Sequence, residues 1–510
     1  MSQPVQSIQP TPVTPIDTVR GGVVDRLDAA RVDIDDDLAR RLGDACNSVS
    51  VLDEDRAEAG RDWWPLAIGW AAAGAVPSRP ALVARPTDTA QVSAVLALCD
   101  DAGIPVTPAG GRSGVCGASI PLFGGVALDL CGLAGIGDVD STSLVADLRA
   151  GTFGPDVESG LRDGHGLTLG HWPQSMELST VGGWLACRGA GQYSNRYGKI
   201  EDMVFGLEVV LADGRIVRTG GTGPRSATGP DLTQLFVGSE GTLGVITEGR
   251  FRVHPVPEGE GRRAVGFATF ADGLDACRRM LRRGASPAVL RLYDTTESGR
   301  NFDQPATNVL IVLDESDPAL VEATLAIVDE ECGGTIGLDI GLVDRWLAHR
   351  NDVSALAPLW RSGVVVDTVE VAARWAALPG LYTAVLEALG GVDGTLAASS
   401  HQSHAYTDGA CLYFTFAGRP PDDIDPTKRD AWVGNYYRSA WSNVTQATID
   451  AGGAISHHHG IGLNRGRFLA ESLGDAFDVL ASVKHALDPN GILNPGKLGL
   501  PTAFGPVPWP

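Results

Sequence analysis

Along residues 81–107 the apolar positions change period twice. A run over 81–85 is short and extended; Val92, Val95, Leu96 and Cys99 then recur on one helical face; residues 104–107 return to an extended run. Thr87 and Asp88 offer N-cap oxygens, Gln91 stands three residues after Asp88 as in a capping box, and Gly103 marks the stop. The pattern predicts a β-α-β unit that delivers 108-PAGGRSG-114 at a strand end. Further on, 206–211 and 215–218 flank the turn dipeptide Asp213-Gly214 and predict a hairpin. Beyond 255-PVP-257 and the charged run 258–263, extended runs (264–270, 288–293, 308–313) alternate with helical ones (271–283, 318–331). They predict an antiparallel sheet with helices on one face, and an α+β fold class. Residues 63–76, apolar but interrupted by Pro65 and too short to span a bilayer, predict a packed helix. A last helix is expected over 467–487, before the turn-rich 488-DPNGILNPGKL-498.

Two further glycine-dense pieces follow the first loop: 174-QSMELSTVGGWLACRGAGQYSNRYGKIEDM-203 and 238-GSEGTLGVITE-248. A large dianionic ligand held without metal needs backbone N–H groups close to its phosphates, and glycine permits that approach because no Cβ intervenes. Three such loops on strand-like scaffolds suggest one long ligand gripped at several points. They are not a Rossmann or P-loop fingerprint: no G-x-G-x-x-G follows an N-terminal strand, and no G-x-x-x-x-G-K-[ST] occurs.

The 510 residues, 44% hydrophobic and 20% charged, suit a globular chain of two or three domains. A net charge of −22 argues against nucleic acid, whose binding needs Lys and Arg to neutralise phosphates, and makes anionic membranes poor partners. The 8 cysteines are scattered singly, as buried thiols in a reducing compartment would be. Residues 1–20 lack the apolar core of a signal peptide and read as a disordered tail. The ending Pro508-Trp509-Pro510 is not a peroxisomal address. A cytoplasmic protein with at most peripheral membrane contact is expected, with homodimerisation left open.

These blocks resemble the FAD-binding oxidoreductase/transferase family with the vanillyl-alcohol-oxidase-type (PCMH) flavin fold, and within it the alkylglycerone-phosphate synthase (alkyldihydroxyacetonephosphate synthase) branch. The pieces that carry the resemblance are ELSTVGGW at 177–184, TGPRSATGPDL at 222–232, GSEGTLGVITE at 238–248, LRLYD at 290–294, GACLYF at 409–414 and SHHHGIG at 456–462. The resemblance implies a PCMH-type FAD-binding domain of two α/β subdomains at 77–256 and a substrate or cap domain with a helix-flanked antiparallel sheet at 257–456. An N-terminal helical segment at 21–76 and a C-terminal helical segment with clasp at 457–510 would complete it.

Carried over by motif, Pro108, Ala109, Gly110, Gly111, Arg112, Ser113 and Gly114 would wrap the FAD pyrophosphate. Gln174, Ser175, Met176, Glu177, Leu178, Ser179 and Thr180, with Cys187, Arg188, Gly189 and Ala190, would line the cofactor. Glu240, Gly241, Thr242, Leu243, Gly244, Val245 and Ile246 would complete its site. Arg112 could pair with a phosphate or point to solvent. Gln174 stands where the synthase carries an aspartate, which leaves that contact open. No histidine occurs in 108–118, so FAD is expected to be held noncovalently.

Tyr413 coincides with the synthase's proton-transfer tyrosine; with an ordinary pKa near 10 it needs a cationic neighbour to act as a base near neutrality. In an extended segment His457 and His459 would share one face and His458 the other, and such diverging side chains make poor metal ligands. Hydroxyacid dehydrogenase relatives hold a metal here with a glutamate and two histidines. This chain has His458 and Tyr413 at two of those places and keeps His404, so no metal is expected. The histidines are assigned to substrate phosphate or to proton movement. Arg361, in 358-PLWRSG-363, and Arg291, in LRLYD, are the substrate-binding candidates; Arg291 also reads as structural, and Glu370 is a weaker candidate. The resemblance implies exchange of the acyl group of acyl-dihydroxyacetone phosphate for a fatty alcohol. The alternatives are an FAD-dependent oxidase or dehydrogenase of a 2-hydroxyacid or related alcohol, and a noncatalytic flavin- or lipid-binding protein.

Overall fold

The computed structural model describes residues 22–509, and the segment read as a disordered tail lies outside the described residues. The predicted β-α-β unit builds the first sheet, whose spatial order is Ser48–Ser50, Leu82–Arg85, Val126–Asp129, Val106–Ala109, with the last three parallel. Helix Thr89–Ala102 crosses over it, capped at the expected residues. The Asp88 carboxylate accepts from the Gln91 N–H at 2.9 Å, the Gln91 side chain accepts from the Thr87 N–H at 3.0 Å, and Gly103 closes the helix at φ 64°. Val92, Val95, Leu96 and Cys99 are all buried against the strands.

A second, antiparallel sheet runs Ile216–Gly220, Val204–Val210, Val245–Arg252, Val145–Arg149, Ile136–Asp140, and contains the predicted hairpin with Val210 opposite Ile216. The third sheet is antiparallel, in the order Ile336–Gly337, Gly259–Phe267, Asn308–Ser316, Val289–Tyr293, Thr395–Ala405, Gly409–Gly418, Val365–Arg374. Its strands alternate, apart from register shifts in Thr395–Ala405. Leu290, Leu292, Leu310, Val312, Leu412, Phe414 and Phe416 join the largest core beneath helices Phe270–Arg282, Pro318–Glu331, Leu378–Gly390 and Arg429–Asp450. Burying each such side chain contributes about 1.5–3 kcal/mol. The period of two therefore turns Arg291, His401, Tyr413, Thr415 and Thr368 to the other face. Helices Thr295–Phe302 and Gly341–His349 cover part of that face, so helices flank both sides of the sheet rather than the one expected.

Three further expectations are corrected. Within 63–76 only Pro65–Ala71 is helical; Pro65 starts the helix instead of interrupting it, and Ala75–Val76 pairs in parallel with Val24–Asp25. The charged run at 258–263 belongs to strand Gly259–Phe267, where Arg262 and Arg263 reach out to Asp344 and Asp329. The helix over 467–487 is two, Gly466–Leu473 and Ala476–Leu487, parted at Gly474, whose backbone (φ 56°, ψ −137°) favours glycine.

The tail returns to the first sheet. Val106 bridges Leu493, and the Asn494 amide donates to the carbonyls of Ala118 (2.9 Å) and Glu240 (2.7 Å). Lys497 Nζ donates to Ile120 O at 2.7 Å. No described helix is long and apolar enough to cross a membrane.

Candidate active site

A cavity of about 840 Å³ lies between the glycine loops and the inner face of the seven-stranded sheet. Pro108, Ala109, Gly110, Gly111, Arg112, Ser113 and Gly114 all line it. A Cβ at Gly110 would collide with Thr180 Oγ1, one at Gly111 with the Leu178 carbonyl, and one at Gly241 with the Pro108 ring. Glycine is thus required where loop packs on loop, as well as for close approach of a ligand.

Several residues expected at the cofactor are placed elsewhere. Met176, Leu243 and Val245 lie in the cores below, and Glu177 is exposed. Arg188 turns outward from a left-handed position (φ 60°) to within 3.4 Å of Glu201, and the Thr242 hydroxyl donates to Ser239 O at 2.7 Å. Glu240 lines the cavity, but its carboxylate accepts from the Ile461 and Gly462 N–H groups at 2.6 and 2.8 Å. Arg112 is 9% exposed with Nη1 3.8 Å from Asp129 Oδ2, which removes the solvent-facing alternative.

Tyr413 sits in mid-sheet, opposite Glu370 on one neighbouring strand and His401 on the other. Its hydroxyl is 2.9 Å from Thr368 Oγ1; His401 stacks on its ring at 4.9 Å, and His459 meets it edge-on at 5.5 Å. Burial raises its pKa, so near neutrality it is a protonated hydroxyl. Arg291 Nη2 approaches His401 Nε2 at 2.6 Å, and a guanidinium only donates. The His401 proton is therefore on Nδ1, which donates to Glu297 Oε2 at 2.7 Å, and burial keeps this imidazole neutral. A register shift between Gln402 and His404 turns His404 to the same side as His401, where simple alternation would have put it on the other.

The three consecutive histidines are not extended. The N–H groups of His457, His458 and His459 all point to Glu370 Oε1, at 3.2, 3.0 and 2.7 Å, and Ser456 Oγ donates to it at 2.8 Å. Arg465 grips the same carboxylate with both terminal nitrogens; Glu370 and Arg465 are each 0% exposed. The expected divergence of the side chains is corrected. His457 Nδ1 is 2.9 Å from His458 Nδ1, and with His404 the ring nitrogens lie within 4.8 Å of one another. Burial lowers His457 to about 4 and His404 and His458 well below 6.5, so all three are neutral.

Arg361 is not brought to the cavity. It is exposed, its Nε reaching only Ala357 O at 3.4 Å, while Leu356 and Leu359 of its helix line the wall instead. Besides Arg112 of the first loop, the cations that do line it are Arg291, Arg300, Arg345 and Arg350. Arg291 and Arg350 lie over Trp346 at 5.5 and 5.7 Å, and neither forms an ion pair among the described residues. Arg300 and Arg345 are paired with Glu297 and Asp303.

Residues 80–220 match the family described as FAD binding domain, and residues 257–498 match FAD linked oxidases, C-terminal domain. The uncharacterized FAD-linked oxidoreductase YgcU of Escherichia coli (strain K12) is 31% identical over 437 residues, covering 82% of this chain and 89% of that protein. The chain belongs to the FAD-linked oxidoreductases. Alkyldihydroxyacetonephosphate synthase of Dictyostelium discoideum is 28% identical over 469 residues (84% of this chain, 74% of that protein). Glycolate oxidase subunit GlcD of Bacillus subtilis is 27% identical over 436 residues (82% and 89%). A solved alkyldihydroxyacetonephosphate synthase superposes with TM-score 0.75 at 24% identity, over 92% of this chain and 87% of that one. For p-cresol methylhydroxylase the values are 0.73, 18%, 92% and 99%, so the PCMH-type fold is shared.

An FAD-linked oxidoreductase must satisfy a large polar cofactor, and this cavity is prepared for one. His171 is fully buried on Trp184 (4.7 Å), with neither ring nitrogen hydrogen-bonded among the described residues. Trp63 Nε1, Ser119 Oγ and Gln192 Oε1, on residues lining the same cavity, are buried in the same state. Such groups are nearly always satisfied, so a polar ligand belongs against them. Cys187 also lines the cavity, but burial and Glu240 push its thiol up to about 12, which leaves it unreactive.

Proposed function

We propose that the chain is an FAD-dependent enzyme of the alkyldihydroxyacetonephosphate synthase type. It would exchange the acyl group of an acyl-dihydroxyacetone phosphate for a fatty alcohol and release a fatty acid. The supporting observation is the two-sided cavity. Arg291, Arg300, Arg345 and Arg350 form one wall; Trp63, Pro65, Ile68, Val353, Leu356 and Leu359 form another; Tyr413, His458 and His459 also line it. A phosphate monoester suits the first wall, where two guanidiniums stand without carboxylates in a chain of net charge −22. An alkyl chain suits the second.

The loops of residues 108–114 and 174–180 would hold FAD, which supplies an electron-poor ring to the reacting carbon. Arg291 and Arg350 orient the head, and the apolar wall keeps water from the chain. Tyr413, protonated at rest, donates to the departing oxygen; to accept a proton it must first pass on its own, and the neutral His458 imidazole, which lines the same cavity, is an acceptor.

A second reading, oxidation of a 2-hydroxyacid with its carboxylate on Arg291, is favoured by the likeness to GlcD; it leaves the apolar wall without a role. The test is yellow holoprotein given acyl-dihydroxyacetone phosphate and a labelled long-chain alcohol. Labelled ether product with free fatty acid is expected, and Tyr413→Phe should lower the rate by about 10²–10⁴ while retaining FAD. No exchange, with anaerobic bleaching of the flavin by a D-2-hydroxyacid, refutes the first reading in favour of the second.

A further inference from the structure

Tyr406, His457 and His458 form a hydrogen-bonded row that begins outside the cavity and ends inside it. The Tyr406 hydroxyl is 3.0 Å from His457 Nε2, and His457 Nδ1 is 2.9 Å from His458 Nδ1. His458 lines the cavity, its ring stacked 6.1 Å from that of Tyr413; Tyr406 and His457 do not line it. At the outer end Tyr406 is half-buried, with Lys199 Nζ 4.6 Å above its ring and Ser194 Oγ 3.3 Å from its hydroxyl. Lys199 is itself 27% exposed beside Asp202.

The two contacts are coupled through the His457 ring. With its proton on Nδ1, His457 donates to His458 while Nε2 accepts from the Tyr406 hydroxyl. With its proton on Nε2, it donates to the Tyr406 oxygen while Nδ1 accepts from His458 Nδ1–H. Both arrangements satisfy each contact of the row with every member neutral. The row is also held still: Glu370 pins the backbone of both histidines, and His404 stacks on the His457 ring at 4.8 Å and meets the His458 ring at a tilt at 4.9 Å.

We propose that Tyr406, His457 and His458 are a proton relay between the Tyr413 side of the cavity and the exterior; this rests on the reading above that chemistry at Tyr413 moves a proton. For one proton passed inward, His458 gives its Nε2 proton to an acceptor in the cavity and takes the Nδ1 proton of His457. His457 takes the hydroxyl proton of Tyr406, and Tyr406 takes one from solvent near Lys199. One proton has crossed, each N–H or O–H bond broken has been replaced, and no charge is left on the row. Outward passage runs the same exchanges in reverse and resets it. Tyr406 and His457 act through His458 and are positioning residues in this scheme.

The test needs no substrate. FAD-loaded full-length protein is reduced anaerobically by reduced methyl viologen, which gives up electrons without protons, in rapid mixing in weak buffer with a pH indicator, and the proton uptake that accompanies flavin reduction is timed. Tyr406→Phe and His457→Gln should each slow the uptake at least tenfold and change its solvent deuterium effect, while the oxidised flavin spectrum stays that of the parent. Unchanged uptake in both variants overturns the relay. So does a stoichiometric transition-metal ion in the purified holoprotein that is lost in His457→Gln, because it would occupy the lone pairs the relay uses. Should Tyr406→Phe fail to fold, His457→Gln decides alone. Failure of acyl exchange leaves this measurement readable, and failure here leaves acyl exchange standing.

Discussion

Replacing Glu370 by Gln keeps the side chain's volume and removes the charge that organises the histidine turn. In the parent, Oε1 accepts from Ser456 Oγ, the N–H groups of His457, His458 and His459, and Arg465 Nη1, at 2.7–3.2 Å; Oε2 faces Arg465 Nη2 and His459 Nδ1. An amide has one oxygen, so in either orientation its NH₂ opposes donors. The larger effect falls on Arg465, which at 0% exposure would keep its charge with no carboxylate against it. Breaking a buried pair from one side costs about 3–5 kcal/mol. Urea denaturation of the FAD-loaded protein, followed by flavin fluorescence, should show a loss of that size, with the flavin released at lower urea. Adding Arg465→Gln should recover part of it, with a coupling of about 0.5–3 kcal/mol. A Glu370→Gln protein within about 1 kcal/mol of the parent would refute the claim that this carboxylate holds the turn, since even one unsatisfied buried donor costs more.

Arg350→Gln should weaken inorganic phosphate binding to the holoprotein by roughly 10–100-fold, the value of one charged hydrogen bond, whereas Arg361→Gln should leave it unchanged; perturbation of the flavin spectrum reports both. Gly111→Ala drives a Cβ into the Leu178 carbonyl, and overpacking of about 1–3 kcal/mol should appear as weaker FAD binding in a fluorescence titration. Burial lowers His171 to about 3 and His457 to about 4, below the ordinary 6.5. Above pH 6.5 neither contributes; below it the unfolded chain binds protons the folded one refuses, so stability falls as pH drops from 6.5 toward 4, by about 1.4 kcal/mol per pH unit for each independent histidine. Glu370, held well below 4.5 by Arg465 and His459 against the opposing effect of burial, should keep its contribution above 4.5 and lose it only at more acid pH. A melting temperature flat between pH 7 and 4.5 would contradict the histidine part.

What the sequence disclosed were features written in neighbouring residues. The caps of helix Thr89–Ala102, the Asp213-Gly214 hairpin and the bounds of Pro318–Glu331 depend on local spacing, and they stand as read. Tyr413 was singled out by resemblance, and the structure separates it from Leu412 and Phe414, which join the core. What escaped depends on distant residues. His404 reaches the cavity through a bulge whose register is set by the partner strand, and the histidine turn takes its shape from Glu370, more than eighty residues earlier. Arg350 lies in 345-RWLAHR-350, a charged helix end that ordinarily faces water; its arginines at i and i+5 about Trp346 were the available sign. Arg361 was placed on the short segment 358-PLWRSG-363, and it is exposed.

The clasp of Asn494 and Lys497 on the carbonyls of Ala118, Glu240 and Ile120 makes the cofactor site the work of segments up to 377 residues apart. During synthesis the loops of residues 108–120 and 238–246 leave the ribosome long before 488–498 does, and until then nothing fixes their spacing from that side. Flavin is therefore expected to load only after residues 488–498 have emerged. A single proteolytic nick upstream of the clasp should shed the flavin without severing any residue that touches it.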